Sequence, residues 1–152
     1  MASVTGVYPV WENAFKIGKA GPASESADMV AIAECETFSP TFDVGEETWA
    51  SMDNEGWQSG LVTANRITLA ITAKRCIGDA GNDYVASCVG KMGDACKTKF
   101  EWDFPDGSKI AFDANVVVTN VGGGDSTNVA PLEFEVRSIG KPTFTPASPV
   151  QA

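Results

Sequence analysis

Apolar and polar residues alternate in several short runs of this chain, the period of strands with one buried face. "RITLAITAK" sets Ile67, Leu69, Ile71 and Ala73 against Arg66, Thr68, Ala70, Thr72 and Lys74. "KFEWDF" does the same with Phe100, Trp102 and Phe104 against Lys99, Glu101 and Asp103. The "PDGS" that follows suits a tight turn, because proline fixes φ and glycine supplies a positive one. "KIAFDANVVV" then alternates through Ile110, Phe112 and Ala114, so residues 99–118 predict a β-hairpin. "PLEFEVRSI" adds a strand with Leu132, Phe134, Val136 and Ser138 inward. "VYPVWENAFKI" and "DMVAIAECETF" have strand composition with less regular patterning.

One stretch breaks the two-residue period. In "GNDYVASCVGKMG", Tyr84, Val85, Cys88, Val89 and Met92 fall on one helical stripe, which predicts a helix packed on the sheet. Asn82 suits its N-cap, Asp83 its positive end, and Gly93 the position after its last turn. Gly90 inside such a helix costs about 1 kcal/mol relative to alanine, so tertiary support is required.

Two regions carry neither period. Residues 39–60, "SPTFDVGEETWASMDNEGWQSG", read as a long acidic loop that nonetheless holds Phe42, Trp49, Met52 and Trp57. Long loops in compact domains are uncommon and usually functional. Exposed tryptophans on one need something to bury against. Either the loop folds as a lid over its own core, or it is an arm that packs on a neighbouring subunit. The closing "KPTFTPASPVQA" (141–152) holds Pro142, Pro146 and Pro149 and predicts an extended tail or arm.

Length adds that the 152 residues predict one domain, 1–152, with a self-sufficient core. Charge adds more. The chain has 20 acidic and 11 basic residues and a net charge of −9. Nine of the acids lie between Lys19 and Arg66, where there is no lysine or arginine. Binding DNA through its phosphates needs clustered cations, so this composition argues against it. The acidic stretch is either a solvated face or a wall that does not adhere to polyanions.

Catalytic chemistry finds little purchase. There is no histidine, which removes His-based triads, Cys–His nucleophiles and imidazole metal sites. Cys35, Cys76, Cys88 and Cys96 match no zinc spacing and predict reduced, mostly buried thiols. The N-terminal segment lacks the apolar core of a secretory signal, and no run of 18 apolar residues exists to span a membrane. Carboxylate pairs such as Asp103 with Asp106, or Glu133 with Glu135, are the remaining raw material for a hydrolase. Glu133 and Glu135 lie on the solvent side of their strand, and Asp106 is a turn former. No catalytic residue, metal site or cofactor is therefore assigned.

"GGGDSTN" (122–128) has the look of a phosphate loop. Such a loop needs a lysine after its last glycine and a helix beyond. Here Asp125 follows Gly124 and the next element is a strand, so Gly122, Gly123, Gly124 and Asp125 predict a connector. Its glycines serve either a tight turn or the close approach of another molecule.

The run "FEWDFPDGSKIAFDANVVVTNVGGGDSTNVAPLEFEVRSIGKPTFTP" (100–146) resembles the C-terminal half of tail tube proteins, the major tail proteins of long-tailed, non-contractile bacteriophages of Gram-positive hosts. "GWQSGLVTANRITLAITAKRCIGDAGNDYVAS" (56–87) is similar to the strand-then-helix middle of the same family. The resemblance implies an antiparallel β-sandwich or barrel with one flanking α-helix and long extended loop and arms. Six copies would form a ring, and rings would stack into the hollow tube that conducts the genome. It further implies a virion protein assembled in the host cytoplasm, with no catalytic centre, cofactor or membrane anchor. Its partners would be itself and the tape measure, tail terminator and baseplate or tail-tip proteins, with DNA passing through unbound. Phe42, Trp49, Met52, Trp57, Gly122 to Asp125 and Phe144 are then the expected inter-subunit contacts.

Other readings stand beside this one. The tube of a contractile tail or injection machine shares the fold. A monomeric β-sandwich module would use Trp11, Trp49 or Trp57 to bind carbohydrate. A small hydrolase would use paired carboxylates.

Overall fold

A computed structural model describes residues 6–146. Its strands are β1 (Ala14–Gly18), β2 (Met29–Ala31), β3 (Cys35–Ala50), β4 (Gln58–Lys74), β5 (Lys97–Asp103), β6 (Lys109–Val121) and β7 (Pro131–Thr145). The α-helix, α1, spans Ala80–Ser87 between β4 and β5. All seven strands join one sheet in the order β2-β1-β5-β6-β7-β4-β3, and every pairing is antiparallel. The fold is mainly β, as the alternating runs predict.

The two outermost strands, β2 and β3, are consecutive in sequence, with only residues 32–34 between them. A sheet whose ends are tied this closely has to curl. Phe38 of β3 accordingly packs edge-on against Phe15 of β1, with ring centroids 4.9 Å apart, and against Trp102 of β5 at 5.4 Å. The inward residues of the regular runs fill the curled interior. Ile67, Leu69, Ile71, Ala73, Phe100, Trp102, Ile110, Phe112, Ala114, Leu132, Phe134 and Val136 are all buried. Each large apolar side chain among them contributes roughly 1.5–3 kcal/mol through burial. The β5–β6 hairpin closes through Gly107, at φ +95°, whose N–H donates to the Phe104 carbonyl.

The helix is shorter than its sequence stripe predicts. It ends at Ser87, with Cys88 as C-cap, and Gly90 turns the chain away at φ +75°. Ser87 Oγ donates to the Tyr84 carbonyl, a local bond that competes with the helical ladder. Val85 and Cys88 are buried and Tyr84 packs against the core, but Val89 and Met92 are 56% and 85% exposed. The expectation that Val89 and Met92 pack on the sheet is therefore corrected. Gly93 lies well past the helix end.

The start of the helix is corrected too. Asp79 is the N-cap, accepting from the Asn82 backbone N–H, while Asn82 itself is fully buried. Its Oδ1 accepts from Cys76 N (3.0 Å) and Arg75 Nη1 (2.9 Å). Its Nδ2 donates to the carbonyls of Lys74 (2.8 Å) and Ala33 (3.3 Å). All four hydrogen-bonding positions of this amide are used, so one side chain joins α1, the end of β4 and the β2–β3 link. Gly81 lies against the Ala31 carbonyl, where a Cβ has no room.

The largest departure from expectation concerns residues 39–60. They form no irregular loop. β3 and β4 pair from Cys35↔Ala73 out to Ala50↔Gln58, a long two-stranded hairpin with its turn at 51–57. Of the expected extended arm, 141–145 belong to β7, and 147–152 lie outside the described residues. The cysteines are free thiols, but only Cys88 is buried, and the other three are half-buried.

Candidate functional site

β4 pairs with β7 only from Thr68↔Arg137 to Lys74↔Pro131. One further tie, from Ile67 N to Ser138 Oγ at 2.9 Å, marks where it leaves the sheet. Beyond that point β3 and β4 continue as a ribbon with no third strand among the described residues. The eight steps of β3 from Phe42 to Ala50 carry it about 26 Å, at roughly 3.3 Å per residue.

Register shifts between Gly45 and Glu46, where Gly45 opposes Ala64 and Glu46 opposes Val62. Thr63 is the extra residue of this β-bulge, and a bulge turns the following side chains to the other face. Phe42, Val44 and Val62 therefore share the face continuous with the core, while Trp49 and Leu61 share the opposite one. All five are about half-exposed. Both faces of the ribbon thus present apolar side chains to solvent. A two-stranded hairpin is marginal alone in water, so an arrangement like this gains from a covering surface.

The turn at the tip is internally braced. Asn54 N donates to the Ser51 carbonyl, Glu55 N to Met52 and Trp57 N to Asn54. Asn54 Nδ2 also reaches Ser59 Oγ at 2.9 Å. Glu55 and Gly56 both take positive φ, +52° and +88°. Met52 and Trp57 flank this turn and are 98% and 79% exposed.

The residues expected to make contacts divide between two ends of the sheet. Phe42, at the ribbon base, stacks over Trp102 with centroids 6.5 Å apart. Trp49, Met52 and Trp57 lie outward along the ribbon. Phe144 is exposed on β7 opposite Ile110, at the same end as the ribbon base. Gly122, Gly123, Gly124 and Asp125 connect β6 to β7 at the opposite end, beside the β4 terminus, where Arg75 N donates to the Ala130 carbonyl. The glycines there have a local explanation. Gly122 sits at φ +78°, and Asn120 Oδ1 accepts from Gly123 N in the space a Cβ would need.

Residues that sequence patterning passes over complete the ribbon surface. Val44, Leu61 and Val62 are exposed on it, and Arg66 and Lys141 stand at its base. There β7 bulges at Gly140–Pro142, since Ile139 opposes Asp113 while Thr143 opposes Ala111. A cleft of about 990 Å3 opens between this bulge and the departing ribbon, with Phe42, Ile67, Ile139, Pro142 and Phe144 on its walls. A second groove, of about 530 Å3, lies beside it, and Arg66 lines both.

Several titratable groups are engaged in holding the fold. Asn120 Nδ2 donates to Glu133 at 2.8 Å, and Glu135 pairs with Arg137 at 3.3 Å. Asp106 accepts from the Ser108 hydroxyl and N–H, which holds its carboxyl below the usual range. Burial, assisted by the charge of Asp79, pushes the Cys35 thiol up to about 11, so it stays protonated and unreactive at neutral pH. Among the described residues no three His, Cys, Asp or Glu side chains gather as metal ligands, and no helix is long and apolar enough to cross a membrane.

No protein-family model matches the chain, and no curated protein matches it either. Solved structures do. One is a chain of the tail of an empty gene transfer agent particle, described with C6 symmetry, at a TM-score of 0.71 and 16% identity. Another is a chain of the virion of a native gene transfer agent particle, at a TM-score of 0.67 and 15% identity. In both cases the alignment covers 92% of this chain and 100% of the other. At such identities the likeness establishes a shared fold.

Proposed function

We propose that this chain is the subunit of a phage-type tail tube. It is a structural virion protein that closes into six-membered rings, and the rings stack into a hollow conduit for genome delivery. The observation that carries the reading is the ribbon, whose apolar side chains beyond Phe42 stay exposed on both faces. The full-length likeness to a tail chain from a particle with C6 symmetry supports it. So does the resemblance of residues 100–146 to tube proteins of long, non-contractile tails of phages with Gram-positive hosts. Its neighbours would then include the tape measure, tail terminator and baseplate or tail-tip proteins. A net charge of −9 suits a conduit, because like charge repels the polyanion passing through.

Contacts made by different patches of each copy close into rings or continue as filaments, and a tube requires both. The ribbon at one end of the sheet and the glycine connector at the other provide distinct patches. An unpaired edge on β3, 16 residues long and interrupted by Pro40, is one more surface that a neighbour would cover. Replacing Trp49 and Trp57 together with alanine is expected to leave a folded monomer that forms no tubes in negative stain. Normal tubes from that double variant would remove the ribbon from the assembly surface.

A further inference from the structure

Charge is distributed unevenly between the ribbon and the surface at its base. From Asp43 to Glu55 the ribbon carries Asp43, Glu46, Glu47, Asp53 and Glu55 and no cation. The two adjoining clefts at the base are lined by Arg66, Lys91, Lys97, Arg137 and Lys141, which are five of the chain's eleven basic residues. Lys97 is occupied by Asp94 at 2.8 Å and Arg137 by Glu135 at 3.3 Å. Arg66, Lys91 and Lys141 form no ion pair among the described residues. Asp43 stands opposite Arg66 in register, yet the two are not paired as ions. Lys16, Lys19 and Lys99 also lack an ion pair among the described residues, so the clefts hold half of the unpaired cations of a chain of net charge −9.

We infer that the basic, apolar-walled cleft at the ribbon base receives the acidic ribbon tip of a second copy of this chain. The inference rests on the tube reading and names the surface that the ribbon meets. The tip and the cleft match in two independent respects. Met52 and Trp57 are fully presented by a turn already braced in that shape, so little ordering entropy is lost on docking. The receiving walls, Phe42, Ile139, Pro142 and Phe144, are apolar and open. Asp53 and Glu55 lie between the two apolar tip residues, and Arg66 and Lys141 line the cleft. Opposed charges at the rim set register and steer encounter, while the buried aromatic anchor supplies affinity.

Docking within one chain is excluded by geometry. The braced tip lies about 26 Å along an extended ribbon from the cleft at that ribbon's own base. The contact is therefore between copies, and because tip and cleft are different patches it propagates from copy to copy.

A charge-swap experiment tests this. One variant carries Arg66→Glu and Lys141→Glu, the other Asp53→Lys and Glu55→Lys. All four side chains are exposed, so both variants should melt within a few degrees of the parent. Each alone is expected to remain monomeric in sedimentation at concentrations where the parent assembles. Mixed one to one, they should assemble again, because every reversed tip meets a reversed cleft and every native tip a native one. Rescue should also weaken as salt rises.

Three outcomes overturn the inference. In the first, the cleft variant assembles like the parent. In the second, both variants fail alone and the mixture stays monomeric. In the third, the cleft variant assembles but has lost affinity for a short DNA duplex, which marks the cleft as a polyanion site. Failure of the tube reading looks different, since the unaltered protein then forms no rings or filaments at all.

Discussion

Two hairpins of this sheet behave in opposite ways. The β5–β6 hairpin lies in the middle of the sheet, with Phe100, Trp102, Ile110 and Phe112 buried on one side and polar residues on the other. The outer half of the β3–β4 hairpin leaves the sheet, and Phe42, Val44, Trp49, Leu61 and Val62 stay exposed on its two faces. Both are antiparallel ladders. Only the first is held by its own subunit, and the difference separates residues that stabilise the fold from residues free to join copies.

The sharpest way to break this contrast is to truncate one side chain from each region. Phe134→Ala removes a fully buried ring from the curled interior and is expected to cost about 3–5 kcal/mol in chemical denaturation. Trp57→Ala removes an exposed ring and should change monomer stability by no more than about 0.5 kcal/mol. A destabilisation by Trp57→Ala comparable to that of Phe134→Ala would mean that the ribbon is part of the core.

A smaller loss is expected at the node between body and helix. Asn82→Ala leaves the Cys76 N–H and the carbonyls of Lys74 and Ala33 unpaired in a buried setting. An unpaired buried group costs about 1–3 kcal/mol, so a loss of about 3 kcal/mol is expected from urea titration. An unchanged midpoint would show that α1 is held by Val85 and Cys88 alone.

The smallest effect concerns Asp83, which accepts from Arg75 at 2.7 Å. That hydrogen bond, aided by one from Gly78 N and by the Arg75 charge, holds the carboxyl below its ordinary value. A depressed folded-state pKa gives stability that is present above the unfolded value and lost as pH falls through the folded one. Asp83→Asn should therefore lower the Tm slightly at pH 7. The gap between variant and parent should close in acid, below the ordinary carboxylate pKa. A gap that persists unchanged at pH 2 would point to packing rather than charge.

The same contrast explains what was legible from the sequence. Ile67 to Ala73, Phe100 to Trp102, Ile110 to Ala114 and Leu132 to Ser138 alternate because one face of each is buried, and burial is what writes a period of two. The ribbon alternates poorly because neither face is buried within the chain, and the bulge at Thr63 exchanges the faces midway. Residues 39–60 therefore read as a loop, although they form a strand pair. Val89 and Met92 keep helical spacing, but Gly90 ends the turn before they reach the sheet. Asn82 looks like a cap because asparagine so often is one, and nothing local reveals that four partners from two segments surround it. Arg66 and Lys141 are distant in sequence and meet as lining residues of one cleft.

Electron microscopy of the concentrated protein tests the tube reading most directly. Hollow filaments on the order of 100 Å wide, six-fold in end view, are the expected result for rings of domains this size. A protein that stays monomeric at every concentration, with no rings or filaments on the grid, would contradict it.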